Sequence, residues 1–164
     1  MQIPKRIQNH FNCESRKVSG DNTLVGGKIT CCNKSDFELE ISGEVINKFL
    51  LGTYLYSETG DIRTTLICKE CREKLILFDS TIDGYRCCTE NLDHKNIQSE
   101  KKWNCPKCKG NNFSVYAKYE YLNMEELKEL GIKEKDNAFT WIVITVKCNG
   151  CGKVYKGFVD FDAT

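Results

Sequence analysis

Two short cysteine pairs, Cys105–Cys108 in CPKC and Cys148–Cys151 in CNGC, limit what this chain can fold into more than any other feature. A C-x-x-C turn brings two sulfurs to one point, which is half of a tetrahedral thiolate site. With strands leading out of the first turn and into the second, folding joins the halves, and metal binding supplies free energy that a small core lacks. A third pair, Cys68–Cys71 in CKEC, carries the same spacing. The first residues, MQIPKRIQNHFNCESRK, are polar and charged where an export signal would need an apolar run of about 7 to 15 residues. No stretch approaches the ~20 apolar residues of a membrane helix. We therefore expect a soluble, cytoplasmic protein with no membrane contact, in which eleven cysteines stay reduced and serve metal rather than disulfides.

The chain repeats itself. IRTTLICKECREKLILF (62 to 78) superposes on IVITVKCNGCGKVYKGF (142 to 158) at an offset of 80, matching Cys68 with Cys148, Cys71 with Cys151 and Phe78 with Phe158. CNKSDFELEISGEVI (32 to 46) lies on CKGNNFSVYAKYEYL (108 to 122) at an offset of 76, matching Cys32 with Cys108 and Phe37 with Phe113. The four-residue difference places a longer insert inside the second copy. The domains expected are residues 1–80, a polar linker 81–102 that contains Cys87, Cys88 and His94, and residues 103–164.

Around the cysteines the pattern is that of strands. Phe113, Val115, Ala117, Tyr119 and Tyr121 alternate with more polar residues, as do Phe37, Leu39 and Ile41. FTWIVITVK (139 to 147) is β-branched and aromatic and runs straight into a cysteine pair, and SETGD (57 to 61) reads as a hairpin tip. In the second copy's insert, NMEELKELGIKEKD (123 to 136) has Asn123 as a cap, Glu126 three residues on and Gly131 as a stop, which predicts a short helix. The fold class is mainly β: two duplicated antiparallel sheets with one short helix.

Knuckle, hairpin and second knuckle in this order resemble the zinc ribbon family of transcription elongation factors and small RNA polymerase subunits. The resemblance covers Trp103 to Phe161 with specific residues and Thr30 to Phe78 less completely. It implies zinc ligation by Cys105, Cys108, Cys148 and Cys151, with Gly152 in a left-handed turn. In the first copy Cys32, Cys68 and Cys71 match, but the position of Cys105 is occupied by Ile29. Adjacent side chains of an extended segment point to opposite faces, so Cys31 and Cys32 converge on one ion only if the backbone turns sharply. Cys13 avoids that strain and is the favoured fourth ligand, with Cys31 as its substitute and expected to point away. His10 reads as a surface residue. The expected cofactor is zinc, two ions, one per copy; rubredoxin-like iron needs the same four thiolates.

A closed four-cysteine site leaves no position for water, two histidines and no phosphate loop offer no catalytic constellation, and none of the cysteine pairs sits in a βαβ setting. We expect a non-enzymatic module that presents a surface to a protein partner. Nucleic acid is the alternative, through Lys101, Lys102, Lys107, Lys109 and Lys153, with Trp103 and Tyr155 able to stack on bases. Net charge argues against a globally basic binder: eight thiolates and two dications take the formal +1 to about −3.

Overall fold

The computed structural model describes residues 3–20, 22–48, 52–58, 61–84, 99–122, 129 and 139–163. Cys87, Cys88 and His94 lie outside these residues, as does the helix expected over 123–136 apart from Glu129. A single turn, α1 (Lys5–Gln8), precedes the strands β1 (Phe11–Ser19), β2 (Asn22–Ile29), β3 (Phe37–Ser42), β4 (Glu44–Lys48), β5 (Gly52–Tyr56) and β6 (Arg63–Cys68). After them come β7 (Lys74–Asp79), β8 (Lys101–Trp103), β9 (Phe113–Leu122), β10 (Trp141–Cys148) and β11 (Val154–Asp162). The chain is mainly β, as its alternation predicts. In β9 every second residue from Phe113 to Tyr121 is buried, and β10 keeps the same period, because a pleated strand sends successive side chains to opposite faces.

Both copies have one topology. In the first, β3 pairs with β6 and β6 with β7; in the second, β9 pairs with β10 and β10 with β11, all antiparallel. Even the register is shared: Phe37 faces Cys68 as Phe113 faces Cys148, and Leu39 faces Leu66 as Val115 faces Val146. The copies differ beyond this stem. β9 runs on to Leu122, whereas β3 ends before Gly43, whose φ of 111° turns the chain into a separate hairpin, β4–β5. β4 and β5 meet at the pair Lys48–Gly52, and β6 pairs with β3 rather than with β5, so Ser57, Glu58 and Asp61 of the expected tip lie between two strands that do not pair; residues 59–60 of it lie outside the described residues.

The two copies are knit into a single nine-stranded sheet. Phe37 pairs with Phe113, so equivalent residues of the two copies face each other across an antiparallel contact, as in a two-fold arrangement. Each copy also lends the other a strand. β2, which leads into the first copy's cysteines, pairs with β9 of the second; β8, which leads into the second copy's cysteines, pairs with β3 of the first. These pairings correspond residue for residue. Lys28 opposite Tyr116 matches Lys102 opposite Glu40, and Gly27 opposite Ala117 matches Lys101 opposite Ile41. The hairpin β1–β2 adds an outer strand, and it fits because a Cβ on Gly27 would collide with the Phe11 ring and the Asn12 carbonyl.

One cluster of buried side chains spans both copies, from Ile7, Ile29 and Phe37 to Trp103, Phe113, Tyr119 and Phe158. Trp103 stacks on Phe113 at 4.9 Å between ring centroids and meets Phe158 at 4.7 Å. The far end of the first copy is closed differently. Arg6, on α1, pairs with the buried carboxylate of Asp83 and donates to the Ile76 carbonyl, while Arg63 pairs with buried Asp79 at 2.6 Å. Residues 81–84, placed in the linker by composition, are therefore an anchored turn.

Candidate metal centres

β9 leads away from one cysteine pair and β10 leads into the other, so their pairing puts the pairs of the second copy side by side. Both knuckles are tied by backbone hydrogen bonds: the Cys105 N–H donates to the Gly110 carbonyl and the Lys109 N–H to the Cys105 carbonyl, both at 2.8 Å. In the rear knuckle the Cys148 N–H donates to Lys153 and the Gly152 N–H to the Cys148 carbonyl. The Asn149 N–H to the Asn112 carbonyl, 2.8 Å, clamps one knuckle to the other. The four sulfurs of Cys105, Cys108, Cys148 and Cys151 lie within 4.8 Å of one another. Cys105 to Cys151 is 3.7 Å and Cys108 to Cys148 is 3.5 Å. A tetrahedron with ~2.3 Å metal–sulfur arms has edges of ~3.8 Å, so the group fits one ion.

The Tyr155 hydroxyl lies 3.0 Å from the Cys105 sulfur. Burial and that sulfur keep Tyr155 protonated, so it acts as the donor. Burial alone would push the Cys105 thiol up, but the Tyr155 hydroxyl and the N–H groups of Cys108 and Lys107 bring it down to about 6. A thiolate so supported is a ready first ligand, and its oriented partner belongs to the outer shell that positions a metal site.

The first copy repeats this arrangement with one change. Its rear knuckle has the same bonds, the Cys68 N–H to Glu73 and the Arg72 N–H to the Cys68 carbonyl, and the Lys69 N–H to the Asp36 carbonyl is the same clamp. The front knuckle is two residues shorter. Ile29 takes the place of Trp103, Cys31 that of Cys105 and Cys32 that of Cys108, so the gap-free reading that set Ile29 against Cys105 is corrected by the register of β2 and β8. Cys32 and Asn33 have φ of 53° and 58°, and Cys31 and Lys34 bond each other in both directions, which makes a two-residue hairpin turn. That is the sharp turn adjacent ligands require. Cys31, Cys32, Cys68 and Cys71 form the group, with Cys31 buried as Cys105 is. Cys31 stands 3.5 Å from Cys71 and 3.9 Å from Cys32.

Cys13, the favoured fourth ligand, is not in this group. It sits on β1 opposite Gly27, exposed, with its thiol against the Ser15 carbonyl at 3.6 Å. Cys31, expected to point away, points in. A two-residue gap in the repeat was the signal available in the sequence, together with Asn33, a residue that tolerates the left-handed turn. In all four knuckles the residue after the second cysteine is left-handed: Asn33, Arg72, Lys109 and Gly152.

The surroundings of the first centre are also distinct. His10 donates from Nδ1 to the Thr30 carbonyl at 3.1 Å, leaving Nε2 3.5 Å from Glu73, whose other oxygen is 3.4 Å from Cys31. Burial, then the neighbouring thiols and this carboxylate, push the Cys31 thiol up. The Glu73 N–H and the neighbouring thiols instead bring Cys71 down to about 7.

The residues expected to meet nucleic acid divide. Trp103 and Tyr155 are 7% and 5% exposed and packed against each other at 5.1 Å, so neither is free to stack on a base. Lys102 is bound to Glu38 at 3.0 Å. Lys101, Lys107, Lys109 and Lys153 are exposed. Among the described residues no helix is long and apolar enough to cross a membrane. No protein-family model matches the chain, and neither a curated protein nor a solved structure matches it.

Proposed function

We propose that this is a non-enzymatic protein built as a tandem zinc ribbon, with one structural zinc ion in each copy, that serves as a macromolecular interaction module. The carrying observation is that each copy gathers four cysteine sulfurs at the spacing of a tetrahedron edge. Four protein thiolates close the coordination sphere, which suits holding a fold rather than activating water. The metal supplies cross-linking of two knuckles that lie 40 residues apart in sequence in each copy, Cys31 to Cys71 and Cys108 to Cys148. The chain's own contribution is the set of N–H donors and the Tyr155 hydroxyl that favour the thiolate form.

Elemental analysis of untagged protein tests this reading. Two zinc ions per chain are expected. One ion per chain would leave a single centre, iron would replace the zinc reading with a rubredoxin-like one, and thiol–disulfide exchange by Cys105 or Cys148 would overturn a purely structural role. Cys31→Ser should lower the count from two to one, while Cys13→Ser should leave it at two.

A further inference from the structure

The two copies hold the same ligands in opposite electrostatic settings. Residues 104–119 and 141–159 of the second copy contain six lysines and no Asp or Glu. The corresponding stretches of the first copy, 30–43 and 61–79, contain five basic and seven acidic side chains. There the cations are matched: Lys34 pairs with Glu70, Arg72 with Glu38 and Lys74 with Glu40, each within 3.0 Å. A tetrathiolate zinc site carries −2 in either copy, so neutralising the metal does not account for the excess in the second.

Three of those six lysines, Lys107, Lys153 and Lys156, line a groove of about 870 Å3 between the two copies. One wall is the β4–β5 hairpin of the first copy, with Asn47, Lys48 and Thr53; the other is the second copy's front knuckle with Lys107, its rear knuckle with Lys153, and β11 with Lys156. All four lysines are exposed, and none has a carboxylate partner among the described residues. Lys48 lies nearly 60 residues from the knuckle it faces, so only the folded arrangement of the two copies brings the set together.

We propose that this groove binds a single nucleic-acid strand, with its phosphates held by Lys48, Lys107, Lys153 and Lys156. The proposal rests on the two-zinc reading above, because the second centre's knuckles position Lys107 and Lys153. Lysine alone favours phosphate over a peptide carboxylate: a carboxylate is best gripped by the planar fork of arginine, and the chain has no arginine after Arg86. Point charges on flexible stems instead track a phosphate backbone without reading it. With both nearby aromatic rings buried, binding is sequence-independent and sensitive to salt.

The test uses full-length protein with its metal content measured, and fluorescein-labelled 12-residue RNA and DNA strands of mixed sequence followed by anisotropy. For four phosphate contacts on a single strand the slope of log K against log salt is about −3, which is about 50-fold weaker binding at 200 mM than at 50 mM salt. Lys48→Gln with Lys156→Gln, both away from the metal ligands, should roughly halve that slope and weaken binding at 50 mM salt; Arg16→Gln with Lys17→Gln, removing equal charge from the exposed outer strand β1, should change neither. Equal effects of the two double variants would overturn the groove as the site. So would equal affinity for the duplex of the same length, or preference for a poly-glutamate peptide. Two zinc ions per chain with no strand binding would overturn this proposal and leave the metal reading standing, whereas a preparation unable to take up two ions would overturn both.

Discussion

The two copies use the same strands, the same register and the same knuckle bonds to present four sulfurs, yet they stabilise those sulfurs in different ways. In the second copy a buried hydroxyl supports Cys105 and aromatic rings back the centre. In the first, a carboxylate sits 3.4 Å from Cys31, and two consecutive non-glycine residues, Cys32 and Asn33, are held left-handed to make adjacent cysteines converge. Each left-handed residue of this kind costs on the order of 1 kcal/mol, and a carboxylate beside a thiolate is repulsive. A duplicated centre can therefore keep its geometry while its affinity drifts, because the sulfur positions are fixed by strand pairing and the energetics by the neighbours.

The largest effect that tests this contrast is loss of a ligand. Structural zinc contributes on the order of 10 kcal/mol of apparent folding free energy in small domains. Cys148→Ser should accordingly unfold much of the second copy and, through β9, release β2 and the hairpin β1–β2 from the sheet. Cys68→Ser should cost less, because the weaker first centre gives up a smaller binding energy. Chelator titration of the intact protein should show two steps, with the first ion leaving at an affinity about tenfold below the second, a difference of ~1.4 kcal/mol. A single step, or persistence of both steps in Cys31→Ser, would contradict the assignment.

Next in size is the closure of the first copy's far end. Its buried carboxylates, Asp79 and Asp83, occupy the places that Val159 and Ala163 hold in the second copy at the same offset of 80. Burial raises the Asp83 carboxyl despite the Arg6 guanidinium beside it. Arg6→Met should destabilise by about 3 kcal/mol in urea unfolding, since it takes the guanidinium away from a buried carboxylate, and should leave the second copy's metal in place. Replacing Arg6 and Asp83 together by apolar residues should recover most of the loss, making the first end resemble the second.

The sequence carried the stem of this structure because that stem is written in side-chain period and cysteine spacing. Alternation at Phe113 to Tyr121 and the match of Cys68 with Cys148 are local facts, and the register of β3 on β6 follows from them. Three things were harder to see. The knuckle's two-residue deletion is invisible to a comparison without gaps, which sets Ile29 against Cys105 and favours Cys13 over Cys31. Exchange of β2 and β8 between copies is a non-local pairing, and nothing in VGGKI or KKW names its partner. Trp103 and Tyr155 look equally suited to a core and to a base-stacking surface until the fold buries them.

Glu38 measures how firmly the copies hold each other. It accepts from Arg72 at 2.9 Å, in its own copy, and from Lys102 at 3.0 Å, on the strand lent by the other. Arg72 first, then Lys102, hold its carboxyl down at about 2 against an ordinary 4.5. A depressed carboxyl stabilises the fold fully above its unfolded value and loses that contribution as pH falls from 4.5 toward 2. Because Arg72 and Lys102 are about half exposed, the contribution is on the order of 1 kcal/mol rather than the larger figure the shift alone would suggest. Glu38→Gln should show that deficit equally at pH 7 and pH 5.5 in urea unfolding. A deficit that stays constant as pH falls from 4.5 toward 2 would mean the carboxyl is not held down in the fold and that the copies are not coupled through it.

The smallest contrast lies in the left-handed residues that follow the second cysteine of each knuckle. Gly152 adopts φ of 72° without strain, whereas Arg72, its counterpart, sits at 64° and Lys109 at 63° with a Cβ that disfavours the region by about 1 kcal/mol. Lys109 has no carboxylate partner among the described residues, so Lys109→Gly should relieve strain and raise stability by somewhat less than that, the added freedom of the unfolded chain offsetting part of the gain. Arg72→Gly should come out near neutral or slightly destabilising, because it trades the same relief against the ion pair with Glu38. Gly152→Ala should cost about 1 kcal/mol and complete the series. If Arg72→Gly gained as much as Lys109→Gly, the Glu38 pair would be worth nothing, and the strain alone would distinguish the rear knuckles of the two copies.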